Sequence, residues 1–302
     1  MHHYCTYTCE ILPSENANRE LWKVAIPEAA SSYEFLMHGL LALGALHYAF
    51  IHPDKRRDYN LISTHYQNLM LPYFAASLNS INEENCEAYF LLATLISVLS
   101  LCWVTHSDTL ERIIGPSDVA QSFMFFQGVK GILDFQPMDK WRQSGSLAHL
   151  LQPPVKSGQS VVQSRYLARL DRVTGLARQL PATLEVINSQ TACILALESL
   201  RATYNLCRNV EEKPGSPWRW AIYLPDLFLE LMGKGEPTSL IILAHFSALA
   251  RLYERKNWVR EGWSVSVITM VERNLDPESQ EWIKWPRRSI MEEIDIAEES
   301  LE

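Results

Sequence analysis

Apolar side chains return along this chain at steps of three and four, the spacing that gathers them on one face of an α-helix. From Tyr33 to Ile51, Leu36, Leu40, Leu43, His47 and Phe50 follow that rhythm, and Pro53 stops it. A second helical pattern runs from about Asp58 to Ile81, with Pro72 as an expected kink. A third begins near Asn82, whose side chain suits a helix cap, while Glu83, Glu84 and Glu87 place negative charge where the helix dipole favours it. Its continuation, Ala88 to Thr105, holds no charge.

After the break Ile114-Gly115-Pro116-Ser117, Ser117 or Asp118 is placed to cap a helix reaching about Leu133. Residues 134–163 loosen into a Pro-, Gly- and Ser-bearing stretch that reads as a surface loop with one short helix. Helices are expected again from Ser164 to Leu180 and from Ala182 to Asn209, followed by the EEKPGSP loop of Glu211 to Pro217. Four more follow: Trp218 to Met232, Pro237 to Lys256, Trp258 to Asn274 and Pro277 to Ile294. No stretch alternates long enough for a sheet, and no fixed-period repeat appears. The expected fold class is all-α, a single large multi-helix domain over residues 1–294 with an acidic tail at 295–302.

With 302 residues, 47% of them hydrophobic, the chain can bury a large core as one big domain or two packed halves. A net charge of -8 opposes a phosphate-tracking surface, so no direct DNA binding by this chain is expected. The N-terminus lacks the basic flank and apolar run of a secretory signal. Ala88 to Thr105 is long enough to approach a membrane span, but Thr94, Ser97 and Ser100 dilute it and no basic flank follows. It reads as a buried core helix, with no membrane span expected. The six cysteines, Cys5, Cys9, Cys86, Cys102, Cys193 and Cys207, are scattered and read as reduced and intracellular.

Catalytic and metal chemistry find little support. Among the nine histidines, no HExxH, CxxC or CxxH pattern occurs, so no metal ligands are expected, and His47 on its apolar face reads as a core histidine. GxSxG, GxxxxGKS, GxGxxG and DDxxD are all missing, and no catalytic residue or cofactor is expected. The aromatic supply carries more information: Trp218, Trp220, Trp258, Trp263, Trp282 and Trp285 crowd the last third of the chain, as core packing or as the wall of a ligand pocket. The helices carry more apolar surface than one stripe requires. An apolar cavity is therefore expected between the Tyr33–Ile51, Glu83–Val104 and Trp258–Met270 segments, lined by Leu36, Leu40, Leu43, Leu92, Leu95, Trp258 and Trp263, with Gly262 as a hinge.

Several phrases bear a family resemblance. HHYCTYTC, LWKVAIPEAASSYEFLMHGLLALGALHYAFIHP, YNLISTHYQNLMLPYFAASLNSINEENCEAYFLLATLI, FFQGVKGIL and LIILAHFSALARLYERKNWVREGWSVSVITMVERNLDPESQEWIKWP follow one another from His2 to Pro286. In order and spacing they resemble the regulatory domain of fungal binuclear zinc-cluster transcription factors of the sterol uptake control type. The resemblance implies an all-α ligand-binding domain, commonly a homodimer, that holds a hydrophobic small molecule such as a sterol and controls a separate DNA-binding segment in the nucleus. The closely spaced cysteine sets of a zinc cluster are not in the chain, where Cys5 and Cys9 are the only close pair. The chain begins where that regulatory domain begins, which is expected of an excised domain, a truncated product or a paralogue without DNA binding. An enzyme or carrier for an apolar secondary metabolite on the same scaffold is the alternative.

Overall fold

The computed structural model describes residues 1–12, 19–77, 80–106, 113–143, 164–181, 188–208, 217–254, 257–294 and 296. The fold is all-α, and no strand occurs among the described residues. Most of the expected 134–163 loop, the EEKPGSP stretch before Pro217, the start of the Ala182–Asn209 helix and the acidic tail apart from Ile296 lie outside the described residues. The chain divides into two compact units: Met1–Cys102 with Gly128–Pro154 and Lys256–Val259, and Trp103–Gln127 with Val155–Arg255 and Arg260–Glu302.

The first unit begins with a π-helical turn at Tyr4–Thr8 that runs into α1 (Cys9–Ile11), and a second such turn, Leu21–Ala25, leads into α2 (Ile26–Ser32). Tyr4, almost fully enclosed, donates its hydroxyl to the Trp22 carbonyl at 2.7 Å and so ties the two turns together. Then α3 (Glu34–Ile51) and α4 (Arg56–Ser77), joined by the tight turn Pro53–Lys55, form an antiparallel hairpin. Tyr48 stacks on Tyr59 near the turn, and further along the Ser63 hydroxyl donates to the Ala42 carbonyl at 2.9 Å. At Gly39 α3 lies close against its neighbours: a Cβ there would stand 2.8 Å from Leu95 Cδ1 and 3.1 Å from Met70 Sδ.

Helix α5 (Cys86–Thr105), without a charge after Glu87, starts just after Asn82, whose Oδ1 accepts the Glu84 N–H at 2.9 Å as its cap role requires. Thr94 and Ser97 return their hydroxyls to the carbonyls of Phe90 and Ala93, both at 2.8 Å, so the residues that dilute the apolar run are satisfied inside the helix. Helices α3 and α5 are each apolar and long enough to cross a membrane, and most of each is buried inside the protein. Next, α6 (Pro116–Leu133) opens with Asp118 accepting the Gly115 N–H at 2.8 Å, and α7 (Met138–Gln143) is the short helix expected within the loop.

The second unit holds α8 (Arg165–Ala177), capped by Ser164, then α9 (Ser189–Arg208), α10 (Arg219–Ile222), α11 (Asp226–Gly233), α12 (Pro237–Arg251), α13 (Trp263–Asn274), α14 (Pro277–Gln280) and α15 (Lys284–Met291). The expected Trp218–Met232 helix is two helices, because Pro225 lacks the N–H that would continue the first. Helix α12 is the axis of this unit, and every residue from Thr238 to Ala250 is buried. Its start is fixed by Pro237 and by Glu236, whose carboxylate accepts the N–H groups of Thr238 (3.0 Å) and Ser239 (2.7 Å).

Candidate functional site

Leu36, Leu40, Leu43, Leu92 and Leu95, the expected lining from α3 and α5, are all completely enclosed within the first unit. Trp258 belongs to the same unit, with its ring 4.9 Å from that of His47 and 5.9 Å from Phe50. His47 does more than fill space. Its Nδ1 lies 2.9 Å from the Thr8 hydroxyl and 3.1 Å from His3 Nε2, so one imidazole face of α3 anchors the N-terminal turn. Burial, followed by the neighbouring His3 and His52, pulls its pKa down to about 4, which keeps the ring neutral.

The expected helix from Trp258 onward is corrected by the structure: residues 258–262 are turns, and α13 starts at Trp263. Two residues impose this. Asn257 accepts the Val259 N–H at 3.0 Å while donating to the Leu12 carbonyl at 3.1 Å, which holds that stretch in the first unit. Gly262 stands at φ +98°, a left-handed conformation open to glycine, and a Cβ there would meet nothing within 4 Å. Gly262 and Trp263 fall in the second unit, so the expected lining divides between the two units.

Glu254 organises the second unit's side of this turn. It is completely enclosed. One carboxylate oxygen accepts the Ser264 N–H at 2.6 Å and the Ser264 hydroxyl, and the other takes the Gly262 N–H at 3.3 Å and Arg251 Nη1 at 3.1 Å. Arg251 also reaches Glu293 at 2.8 Å, and the Ser264 hydroxyl lies 2.8 Å from the Ser247 carbonyl. Burial raises the Glu254 pKa, against the pull of the Ser264 and Arg251 contacts. The carboxylate thus satisfies the free N–H groups at the start of α13.

Beside it lies an aromatic cluster. Trp263 meets Trp218 edge to face at 4.6 Å, stacks 6.0 Å from Phe123 and stands 5.7 Å from Phe246, which in turn stacks on Trp220 at 4.4 Å. Trp220 donates its indole N–H to the Ala196 carbonyl at 2.9 Å. The indole nitrogens of Trp218 and Trp263 are buried without a hydrogen-bond partner among the described residues, although an enclosed N–H ordinarily finds one. Sequence reasoning picked out these tryptophans but missed Thr8, His3 and Phe123, whose partners lie far away in the chain, and Glu254, whose partners Gly262 and Ser264 are near in sequence but follow no helical repeat. Among the described residues, no three His, Cys, Asp or Glu side chains gather to hold a metal ion.

Residues 1–136 match the fungal specific transcription factor domain. A Zn(2)-C6 fungal-type transcription factor of Gibberella zeae is 24% identical over 310 residues, an alignment covering 95% of this chain and 60% of the relative. Sterol uptake control protein 2 of Saccharomyces cerevisiae is 31% identical over 110 residues, which is 36% of this chain and 12% of that protein. The Aspergillus fumigatus Zn(2)-C6 fungal-type transcription factor afumD is 32% identical over 57 residues, 18% of this chain and 15% of the relative. The chain therefore spans about three fifths of the Gibberella zeae protein and a smaller share of the other two. The stretch similar to that domain takes in α1 to α6, including the leucines of α3 and α5 and the His47 anchor.

Proposed function

We propose that this chain is the regulatory part of a nuclear fungal transcription factor and that it senses a hydrophobic small molecule of the sterol class, so controlling genes of lipid, sterol or secondary metabolism. The observation that carries the reading is the likeness to a Zn(2)-C6 fungal-type transcription factor along 95% of the chain, joined by the shorter likeness to a sterol uptake control protein. The physical chemistry supports it. Two apolar centres are available, the enclosed leucines of α3 and α5 and the aromatic cluster around Trp263. The unpartnered indole N–H groups of Trp218 and Trp263 suit a ligand that is mostly hydrocarbon and carries one acceptor oxygen.

Sensing requires the ligand to bind one arrangement of the domain more tightly than another, with about 1.4 kcal/mol of preference for each tenfold shift in population. The experiment is mass spectrometry of lipids extracted from the purified chain after expression in a fungal host. One apolar compound in near-equal amount to the protein is the expected result. A chain that carries no lipid and takes up none from a panel of sterols and fatty acids overturns the reading.

A further inference from the structure

Two stretches of the first unit close onto one imidazole of α3. His47, only 4% exposed, has its Nδ1 at 2.9 Å from the Thr8 hydroxyl and 3.1 Å from His3 Nε2, so the N-terminal turn is held against it. From the other stretch, the Trp258 ring lies 4.9 Å from its own. Asn257, beside that tryptophan, donates to the Leu12 carbonyl at 3.1 Å and accepts the Val259 N–H, so residues 1–12 and the Asn257–Val259 turn hold each other as well as His47.

The contact between the two histidines limits how many protons it can carry. Two imidazole nitrogens at hydrogen-bond distance have one proton between them, whichever ring donates it. A first extra proton goes to the outer nitrogen of the donating ring and leaves the contact intact. A second has only the shared lone pair to occupy, so that N–H faces N–H and two cations stand with their ring centroids 5.0 Å apart.

Among the described residues no carboxylate offsets that charge. The groups bearing on His3 are His52, the Met1 amine and His2, and those on His47 are His3 and His52, each a cation when protonated. Asp54 and Asp58, in the turn of the α3–α4 hairpin, are not among them, and Glu10, the one carboxylate in residues 1–12, is paired with Lys23. The hairpin turns the ring of Tyr48 toward His3, and the Asn257–Val259 turn brings Trp258 to His47, and neither adds charge. Burial, and after it these neighbours, lowers the pKa of both histidines, that of His47 from 6.5 to about 4, so the contact is intact at neutral pH and is lost as pH falls toward 4.

We propose that the His3–His47 contact is a proton-operated latch, which closes residues 1–12 and the Asn257–Val259 turn onto α3 and releases both together when it takes a second extra proton. The latch does not depend on the ligand-sensing reading. Hydrogen exchange of the 302-residue chain, read by mass spectrometry from about pH 7 to about pH 4 and corrected for the intrinsic pH dependence of exchange, tests it. Protection of residues 1–12 and 257–259 should fall together, at least about tenfold more than that of α5, which contains no histidine.

His3→Gln keeps a donor to His47 and removes one cation, so its opening should come about half a pH unit lower or more. His47→Asn presents an acceptor that does not titrate, and its residues 1–12 should exchange alike at both ends of the range. Circular dichroism confirms that both variants stay helical. Residues 1–12 still protected in the parent near the acid end, their release without residues 257–259, loss of α5 protection in step with them, an unchanged midpoint in His3→Gln, or acid opening retained in His47→Asn each overturns the proposal.

Discussion

The carboxylate of Glu254 accepts the backbone N–H of Ser264 at 2.6 Å, from inside the protein and across a turn that contains the left-handed Gly262. Both carboxylate oxygens face donors, so neither alanine nor glutamine can replace them. Glu254→Ala should cost about 3 kcal/mol, because Arg251 and the start of α13 lose their acceptor together. Glu254→Gln should cost less but still destabilise, since its amide meets a donor whichever way it turns. Urea denaturation of the two variants measures this, and equal stability of Glu254→Gln and the parent would remove the carboxylate from its role.

Gly262 is held by conformation rather than by space. Gly262→Ala should cost about 1–2 kcal/mol from the left-handed backbone alone, and Gly262→Asn less, since asparagine tolerates that region. Gly262→Asp adds a second carboxylate next to enclosed Glu254, so its loss of stability should exceed that of Gly262→Asn. Thermal unfolding of the three variants gives the order.

Gly39 presents the opposite case, with ordinary backbone and no room. Gly39→Ala should destabilise by about 1–3 kcal/mol, as the added methyl pushes on Leu95 and Met70 where α3, α4 and α5 meet. Chemical denaturation measures it, and a neutral effect would mean that these helices separate without cost.

How much of this was legible in the sequence differs from place to place. The helix faces were, because Leu36, Leu40 and Leu43 repeat at helical steps, and caps such as Asn82 and Asp118 act within three residues of themselves. The start of α13 was not. The apolar rhythm of Trp258 to Asn274 suits one helix, and what interrupts it is a glycine at φ +98° held by Glu254, eight residues earlier in the chain. His47 read as a core histidine; its contacts to Thr8 and His3 follow from how the N-terminal turn packs, which periodicity does not encode.

His47 and His245 should make stability depend on pH. Burial lowers each from 6.5 to about 4, so the folded protein binds fewer protons than the unfolded chain in that interval. Their contribution is fully present above pH 6.5 and is lost as pH falls toward 4. In His245→Gln the fall in stability across this window should be shallower by about one proton, as measured by urea denaturation at several pH values. Parallel curves for variant and parent would show that His245 does not titrate in this way.

The purified chain should leave no footprint on promoter DNA, since its net charge of -8 opposes the phosphate contacts that binding draws on. A salt-resistant footprint at a defined sequence would contradict this.

The proposed regulation by an apolar ligand is measured most directly by transcription itself. Fused to an unrelated DNA-binding domain and expressed in a fungal host, the chain should change reporter output about tenfold or more when cellular sterol is depleted, the shift expected from about 1.4 kcal/mol of ligand preference for one arrangement of a domain over another. A folded, nuclear fusion whose reporter output stays the same through sterol depletion and repletion would contradict it.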